Sequence, residues 1–258
     1  MRRTRTLSAL AVIASIALAG TACSSGSSGP SGSSSSSSTT ITVGAASSLT
    51  DVFAVIADSF TKATGTSVTF SFAASSAVAE QIRGGAPIDV FASAGTTSME
   101  PLVSEGLVTG VADFAANSLE IAVPPGNPAG VTGLADLTRV TVVTCEEQVP
   151  CGVAARKLFD ANSLTVTPVS LEPDVRAVLA KVEADEADAG IVYVTDVKAA
   201  GGMIIGVPIP ADQNVTSTYQ AGVTKDSAHA DAAAAFVAYL SSPEAQAALA
   251  AAGFAPAP

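Results

Sequence analysis

The sequence predicts an α/β fold. Three observations carry that reading. From Ile41 onward, short apolar runs of strand length alternate with amphipathic runs of helical period. No internal repeat interrupts the alternation, and the points where strand gives way to helix are marked by Ser-Ser, Cys-Gly or Asp. Alternation of this kind is the pattern of largely parallel sheets covered by helices.

Taken in order, the first strand is the apolar run Ile41 to Gly44, and the first helix covers Leu49 to Thr64 after Ser47-Ser48. A second strand over Ser67 to Phe72 leads through Ser75-Ser76 into a helix over Ala77 to Arg83 that carries Glu80 and Gln81. The run Val90 to Ser93 is a third strand, followed by a helix over Met99 to Glu105. Strands are then expected at Leu119 to Val123 and Val140 to Thr144, with a helix over Gly152 to Ala161 opened by Cys151-Gly152. Asp174 starts a helix over Val175 to Ala184, and strands follow at Ile191 to Val194 and Gln220 to Val223. Helices over Ala230 to Leu240 and Pro243 to Ala252 close the chain, the second terminated by Gly253.

The N-terminus is of another kind. Arg2, Arg3 and Arg5 precede the apolar run Leu7 to Ala19, which has the form of a secretory signal over 1–22 and is too short for a stable membrane span. Cys23 follows, and then a stretch to Thr40 made almost wholly of Ser, Gly, Pro and Thr. A cysteine ahead of such a tether resembles a bacterial lipoprotein processing site, with Gly20 standing where Leu or Val is usual. The expectation is an exported protein held by a lipid at Cys23 on the outer face of the cell membrane, with 23–40 as a disordered spacer.

The composition bounds the chemistry. There are 12 Lys and Arg against 23 Asp and Glu, and loss of the three leader arginines leaves nine against 23, a net charge of −14. A nucleic-acid partner recognised through a general basic field is excluded. One histidine, His229, and three cysteines exclude a multi-histidine metal site. No tryptophan is present, which disfavours a stacking platform. Cys145 and Cys151, with five residues between them in an exported chain, read as a loop-closing disulfide, with two separate core thiols as the alternative.

Helix starts expose unpaired N–H groups and a partial positive charge, so several of them facing one cleft form an anion site without cationic side chains. Ser47-Ser48, Ser75-Ser76, Cys151-Gly152 and Asp174-Val175-Arg176 are such starts, and Tyr193 sits at a strand end. Each has an ordinary reading: serine and Asp174 as helix caps, Tyr193 as a core residue with a locally satisfied hydroxyl. Together they lie at strand ends, where open α/β sheets bind ligands.

Six segments, in order, carry a resemblance: Ala45 to Leu49, Phe72 to Ser76, Gly85 to Ser93, Asn117 to Val123, Val149 to Gly152 and Asp188 to Tyr193. They closely resemble the periplasmic or lipid-anchored molybdate-binding proteins that feed ABC-type importers, over about Ile41 to Phe254. The resemblance implies a two-lobed (type II) solute-binding fold with the ligand cleft between two mixed-sheet lobes. Lobe 1 would be 41–119 plus 221–258 and lobe 2 would be 120–220, with crossings near Leu119 to Val123 and Tyr219 to Val223. It implies five contacts to the anion: the hydroxyls of Ser48, Ser75 and Tyr193 and the backbone amides of Cys151 and Val175, with Cys151 standing where the family usually has alanine.

It further implies a monomeric, non-enzymatic receptor that needs no cofactor, takes molybdate and also tungstate, and delivers it to a membrane permease. The molybdenum would be held only as the oxyanion, without direct protein ligation. Two alternatives stand beside this: a receptor for another oxyanion such as sulfate, and a secreted hydrolase with Ser48 or Ser75 as nucleophile. The latter needs a general base, and His229 lies in a polar stretch that reads as solvated.

Overall fold

The computed structural model describes residues 39–258. The expected leader 1–22, the lipidation candidate Cys23 and the tether as far as Ser38 lie outside the described residues. Among the described residues the strands are β1 Thr40–Ala46, β2 Ser67–Ala73, β3 Val90–Ser93, β4 Val108–Val123, β5 Val142–Cys145, β6 Ser170–Glu172, β7 Ala189–Tyr193, β8 Ile205–Pro208 and β9 Thr216–Thr224. The α-helices are α1 Thr50–Thr64, α2 Ser75–Arg83, α3 Thr96–Ser104, α4 Pro150–Ala161, α5 Val175–Glu183, α6 Val194–Ala200, α7 Ala230–Tyr239 and α8 Pro243–Ala252. None of these helices is long and apolar enough to cross a membrane.

The strands follow the order β2-β1-β3-β9-β4-β7-β5-β6, with β8 also paired to β4. Parallel pairing is confined to β1 with β2 and β3, and to β5 with β6 and β7. The remaining pairs, β3 with β9 and β4 with β7, β8 and β9, are antiparallel, so the sheets are mixed, as the resemblance implies, rather than largely parallel as the strand–helix alternation alone suggests. The reason is local to two long strands. Helical crossovers produce parallel neighbours, whereas β4 leaves the first half of the molecule and β9 returns to it, so the two must run in opposite directions. Val108 to Ser118 of β4 pairs with β9, and Leu119 to Val123 then pairs with β7 and β8.

Two apolar cores flank these strands. One gathers Val43, Phe53, Phe60, Phe114, Tyr219, Phe236 and Leu249, with an adjoining cluster around Val78, Phe91 and Leu102. The other gathers Leu119, Ile121, Val143, Leu158, Val178, Leu179 and Ile191, and takes in Ala74 from the start of α2. In α1 the buried positions Val52, Phe53, Ile56 and Phe60 fall on one face, and the helix ends at Gly65, whose φ of 76° lets its N–H reach Thr61 O. Phe53 meets Phe70, Phe114 and Phe236 with centroids 5.8 to 5.9 Å apart, so α1 is fixed against the sheet by aromatic contacts. The rigid seat of α1 holds the preceding turn, Ser47–Leu49, at the end of β1.

Candidate functional site

The start of each helix decides which donors are free. Ser47–Leu49 forms a 3-10 turn leading into α1, with no side-chain cap. α2 likewise lacks a side-chain cap: Ala74 holds the cap position and Ser75 is already the first helical residue. Neither serine therefore serves as the cap that its position suggests. In α4 the cap residue is Val149, again without a side-chain bond, and Pro150 at the first turn has no N–H to offer. The first main-chain donor of α4 is therefore Cys151. α5 differs, because the Asp174 carboxylate accepts from Arg176 N at 2.8 Å and from Ala177 N at 3.1 Å. That leaves the Val175 N–H as the donor without an intrahelical acceptor.

These starts converge. Ser48, Ser75, Cys151, Val175 and Tyr193 all line one cavity of about 210 Å³ including its mouth. Ala46, Ser47, Ala74, Ala94, Pro150 and Asp174 make up the rest of the wall, the Asp174 carboxylate being the one that caps α5, and no lysine or arginine among the described residues lines it. Wider hollows lie beside it: a groove of about 660 Å³ shares Ala94 and Pro150 and carries Lys157, and one of about 550 Å³ shares Ser48 and carries Arg176 and Lys198. They are larger, and among the hollows of the described residues it is the small cavity that brings these helix starts together.

The hydroxyls are held from behind. Ala94 N donates to Ser75 Oγ at 3.0 Å, which uses an oxygen lone pair and leaves the Ser75 proton to point elsewhere. Ser48 Oγ lies 2.8 Å from the Tyr219 hydroxyl. Tyr193, at the end of β7, is 1 % exposed, and its hydroxyl has no hydrogen-bond partner among the described residues. Ser217 and Tyr219 are near it without reaching hydrogen-bond alignment, and burial, with the Asp196 carboxylate adding to it, pushes the Tyr193 hydroxyl far above the ordinary tyrosine range. It is a neutral donor, and an orphaned buried hydroxyl is costly unless a ligand satisfies it.

The loop before α4 is fixed by two features. Cys145 and Cys151 form a disulfide with Cα atoms 5.7 Å apart. Gly152 packs so tightly that a Cβ there would stand 1.9 Å from Glu146 O. Between the two halves, Arg176 of α5 forms an ion pair with Asp51 of α1, and its Nε lies 3.2 Å from Asp196 Oδ1 of α6. The latter contact is off hydrogen-bond alignment and acts as a charge interaction. Asp196 is fully buried, and burial raises its pKa to about 7 against the pull of Arg176 and of the Tyr193 N–H, which donates to it at 3.1 Å.

Sequence reasoning missed the residues behind the wall. Tyr219 and Asn117 lie in strands and Thr195 in a short helix; all three are buried, with Asn117 Nδ2 donating to Thr195 Oγ1 at 2.8 Å. The one local hint was Asn117, a polar residue ahead of the apolar run Leu119 to Val123, and it names no partner. His229 is exposed at the cap of α7 and does not line the cavity.

The sequence profile of bacterial extracellular solute-binding proteins matches residues 41–255. The chain belongs to that family. Among its relatives is the molybdate-binding protein ModA of Mycobacterium tuberculosis (strain ATCC 25618 / H37Rv), 40% identical over 202 residues, 77% of this chain and 77% of the relative. Two solved structures share the fold of this solute-binding protein. The periplasmic molybdate-binding protein of Azotobacter vinelandii superposes with a TM-score of 0.72 at 24% identity, covering 83% of this chain and 98% of that one. The sulfate-binding protein SubI of M. tuberculosis H37Rv superposes with a TM-score of 0.75 at 23% identity, covering 84% and 87%. At those identities the two likenesses speak to architecture alone, which serves both anions.

Proposed function

We propose that this solute-binding protein captures molybdate, and tungstate as its near-isostere, outside the cytoplasm and delivers it to the permease of an ABC-type importer without chemical change. The single observation behind this is the small cavity lined by Ser48, Ser75, Cys151, Val175 and Tyr193, with no lysine or arginine among the described residues in its wall. The 40% identical relative, a molybdate-binding protein, supports the choice of anion. A tetrahedral dianion presents only acceptors at neutral pH, and neutral donors match it. An arginine fork in their place would also accept phosphate or carboxylate. A protonated anion would set a donor against a donor and leave buried groups unpaired.

The proposed contacts are the hydroxyls of Ser48, Ser75 and Tyr193 and the amides of Cys151 and Val175. Charge-assisted bonds contribute roughly 1.5 to 3 kcal/mol each, so five give on the order of 8 to 15 kcal/mol before association costs are subtracted. Sub-micromolar binding, about −8 kcal/mol or better, is the expected result. The protein works as a monomer, tethered to the membrane through a lipid on Cys23. Hydrolysis by Ser48 or Ser75 has little support, since His229 is exposed at the start of α7. Isothermal titration with molybdate, tungstate, sulfate and phosphate tests the proposal: molybdate and tungstate are expected to bind far more tightly than the other two. Tighter binding of sulfate than of molybdate would establish the sulfate reading instead.

A further inference from the structure

Behind Ser48 a chain of buried polar groups runs across the two long strands. Tyr219 of β9 is fully buried, its ring set edge-on against Phe114, Tyr193 and Phe254 with centroids 5.2 to 6.2 Å away. Its hydroxyl is 2.8 Å from Ser48 Oγ and 3.4 Å from Asn117 Nδ2 of β4. The orientation of the Asn117 amide is fixed by its other end, because Asn117 Oδ1 accepts from Ser118 N at 3.1 Å. The nitrogen side therefore faces Tyr219 and Thr195, and a nitrogen can only donate.

Proton order follows from this. With Asn117 donating to the Tyr219 oxygen, the Tyr219 proton has Ser48 Oγ as its acceptor. Ser48 then receives a hydrogen bond from behind, and its own proton is left to point into the cavity. In the reverse order Ser48 would spend its proton on Tyr219, whose own proton would have no aligned acceptor among the described residues. A buried donor without an acceptor is disfavoured, so the first order prevails. Burial raises the Tyr219 hydroxyl well above its ordinary pKa, which keeps it protonated throughout.

From this geometry we infer that Tyr219, backed by Asn117, is a positioning residue that fixes Ser48 as a proton donor toward the bound anion, and thereby sets selectivity for a fully ionised oxyanion over one that carries a proton. The inference rests on the molybdate reading of the cavity. Ser75 is held in the same sense by Ala94 N, a main-chain donor that no side-chain substitution removes. Tyr219 is thus the point at which proton order can be altered.

The test compares wild type, Tyr219→Phe, Ser48→Ala, Ser75→Ala and the doubles Tyr219→Phe/Ser48→Ala and Tyr219→Phe/Ser75→Ala, titrated with molybdate and with hydrogen phosphate; ligand-free thermal melts check folding. Tyr219→Phe is expected to weaken molybdate about tenfold, the loss of one oriented hydrogen bond to a charged group. Its effect should vanish in the Ser48→Ala background and persist in the Ser75→Ala background. The ratio of molybdate to hydrogen phosphate affinity should fall, because a freed Ser48 can accept as well as donate. A merely structural role for Tyr219 would weaken both anions alike and add to Ser48→Ala, and either result overturns the inference. Asn117→Asp serves if Tyr219→Phe does not fold: a carboxylate cannot donate to Tyr219, so the same fall in the ratio is expected, and an unchanged ratio overturns it. Wild-type protein that ignores molybdate would instead sink the functional reading, a failure visible before any variant is made.

Discussion

Gly152→Ala isolates the contribution of one backbone donor. The added Cβ would lie 1.9 Å from Glu146 O, 2.6 Å from Glu146 C and 2.9 Å from Cys145 O, all of them main-chain atoms. Side-chain carbons essentially never come within 3.0 Å of such atoms, so the start of α4 and the 145–146 segment must part by at least 1.1 Å, the difference between 3.0 and 1.9 Å. The Cys145–Cys151 bond ties the same two segments together, so the strain falls on the main chain around Cys151. A displacement of that size carries the Cys151 N–H out of the ~2.7 to 3.2 Å window of a hydrogen bond. Losing one charge-assisted bond costs about 1.5 to 3 kcal/mol, or roughly ten- to a hundredfold in affinity. The body of α4 stays anchored by Ala154, Ala155 and Leu158 in the second core, so the fold survives. Calorimetric titration with molybdate, paired with ligand-free thermal melts and with Gly202→Ala as a control where a Cβ meets nothing within 4 Å, measures the effect. Affinity equal to wild type in Gly152→Ala would refute the assignment of the Cys151 amide as a contact.

Three further outcomes follow from the same geometry. Tyr193→Phe is expected to lower molybdate affinity about tenfold while leaving ligand-free stability unchanged or slightly raised, because the deleted hydroxyl has no partner among the described residues; chemical denaturation beside titration checks both halves. Asp196 holds its proton in the folded state up to a pKa of about 7, whereas the unfolded carboxyl loses it near 3.8, so the folded chain loses stability as pH rises through that window; Asp196→Asn lacks this component, and urea melts at about pH 5 and about pH 8 should show the variant gaining on wild type at the higher pH. Replacing Cys145 and Cys151 together by alanine should lower stability by roughly 2 kcal/mol, the chain-entropy value for so short a loop, yet leave affinity within about tenfold, since the contact at 151 is main chain and Gly152 still seats the loop on Glu146; denaturant melts and titration decide.

The cavity wall was legible because its chemistry is local in the chain. A strand that gives way to Ser-Ser, to Pro-Cys-Gly or to Asp-Val-Arg announces a helix start, and a helix start is an anion-facing feature wherever it is placed. What lies behind the wall was not legible, for an equally physical reason. Tyr219 reaches Ser48 across 171 residues, and Asn117 reaches Thr195 across 78, so no periodicity or spacing links them. The first part of β4 escaped notice because register shifts between Thr109 and Ala112 and between Asp113 and Ala115 break the two-residue alternation that identifies a strand. The short strand β6 has three residues, too few to show a period, and β8 is interrupted by Gly206 and ends in Pro208, both poor strand signals. Val194 reads as the last residue of an apolar strand, yet Tyr193 ends β7 and Val194 opens α6, where Asp196 accepts from the Tyr193 N–H. That carboxylate turns the chain at the point where the Tyr193 hydroxyl faces the cavity.

Crystals of the protein saturated with molybdate give the most direct measurement, namely which atoms lie within hydrogen-bond distance of the four oxygens. Hydroxyls of Ser48, Ser75 and Tyr193 and amides of Cys151 and Val175 are the expected set, with Arg176 still occupied by Asp51 and Asp196. A guanidinium or ammonium group against the oxygens, or a cavity without anion at saturation, would contradict the claim that uncharged donors alone hold the ligand.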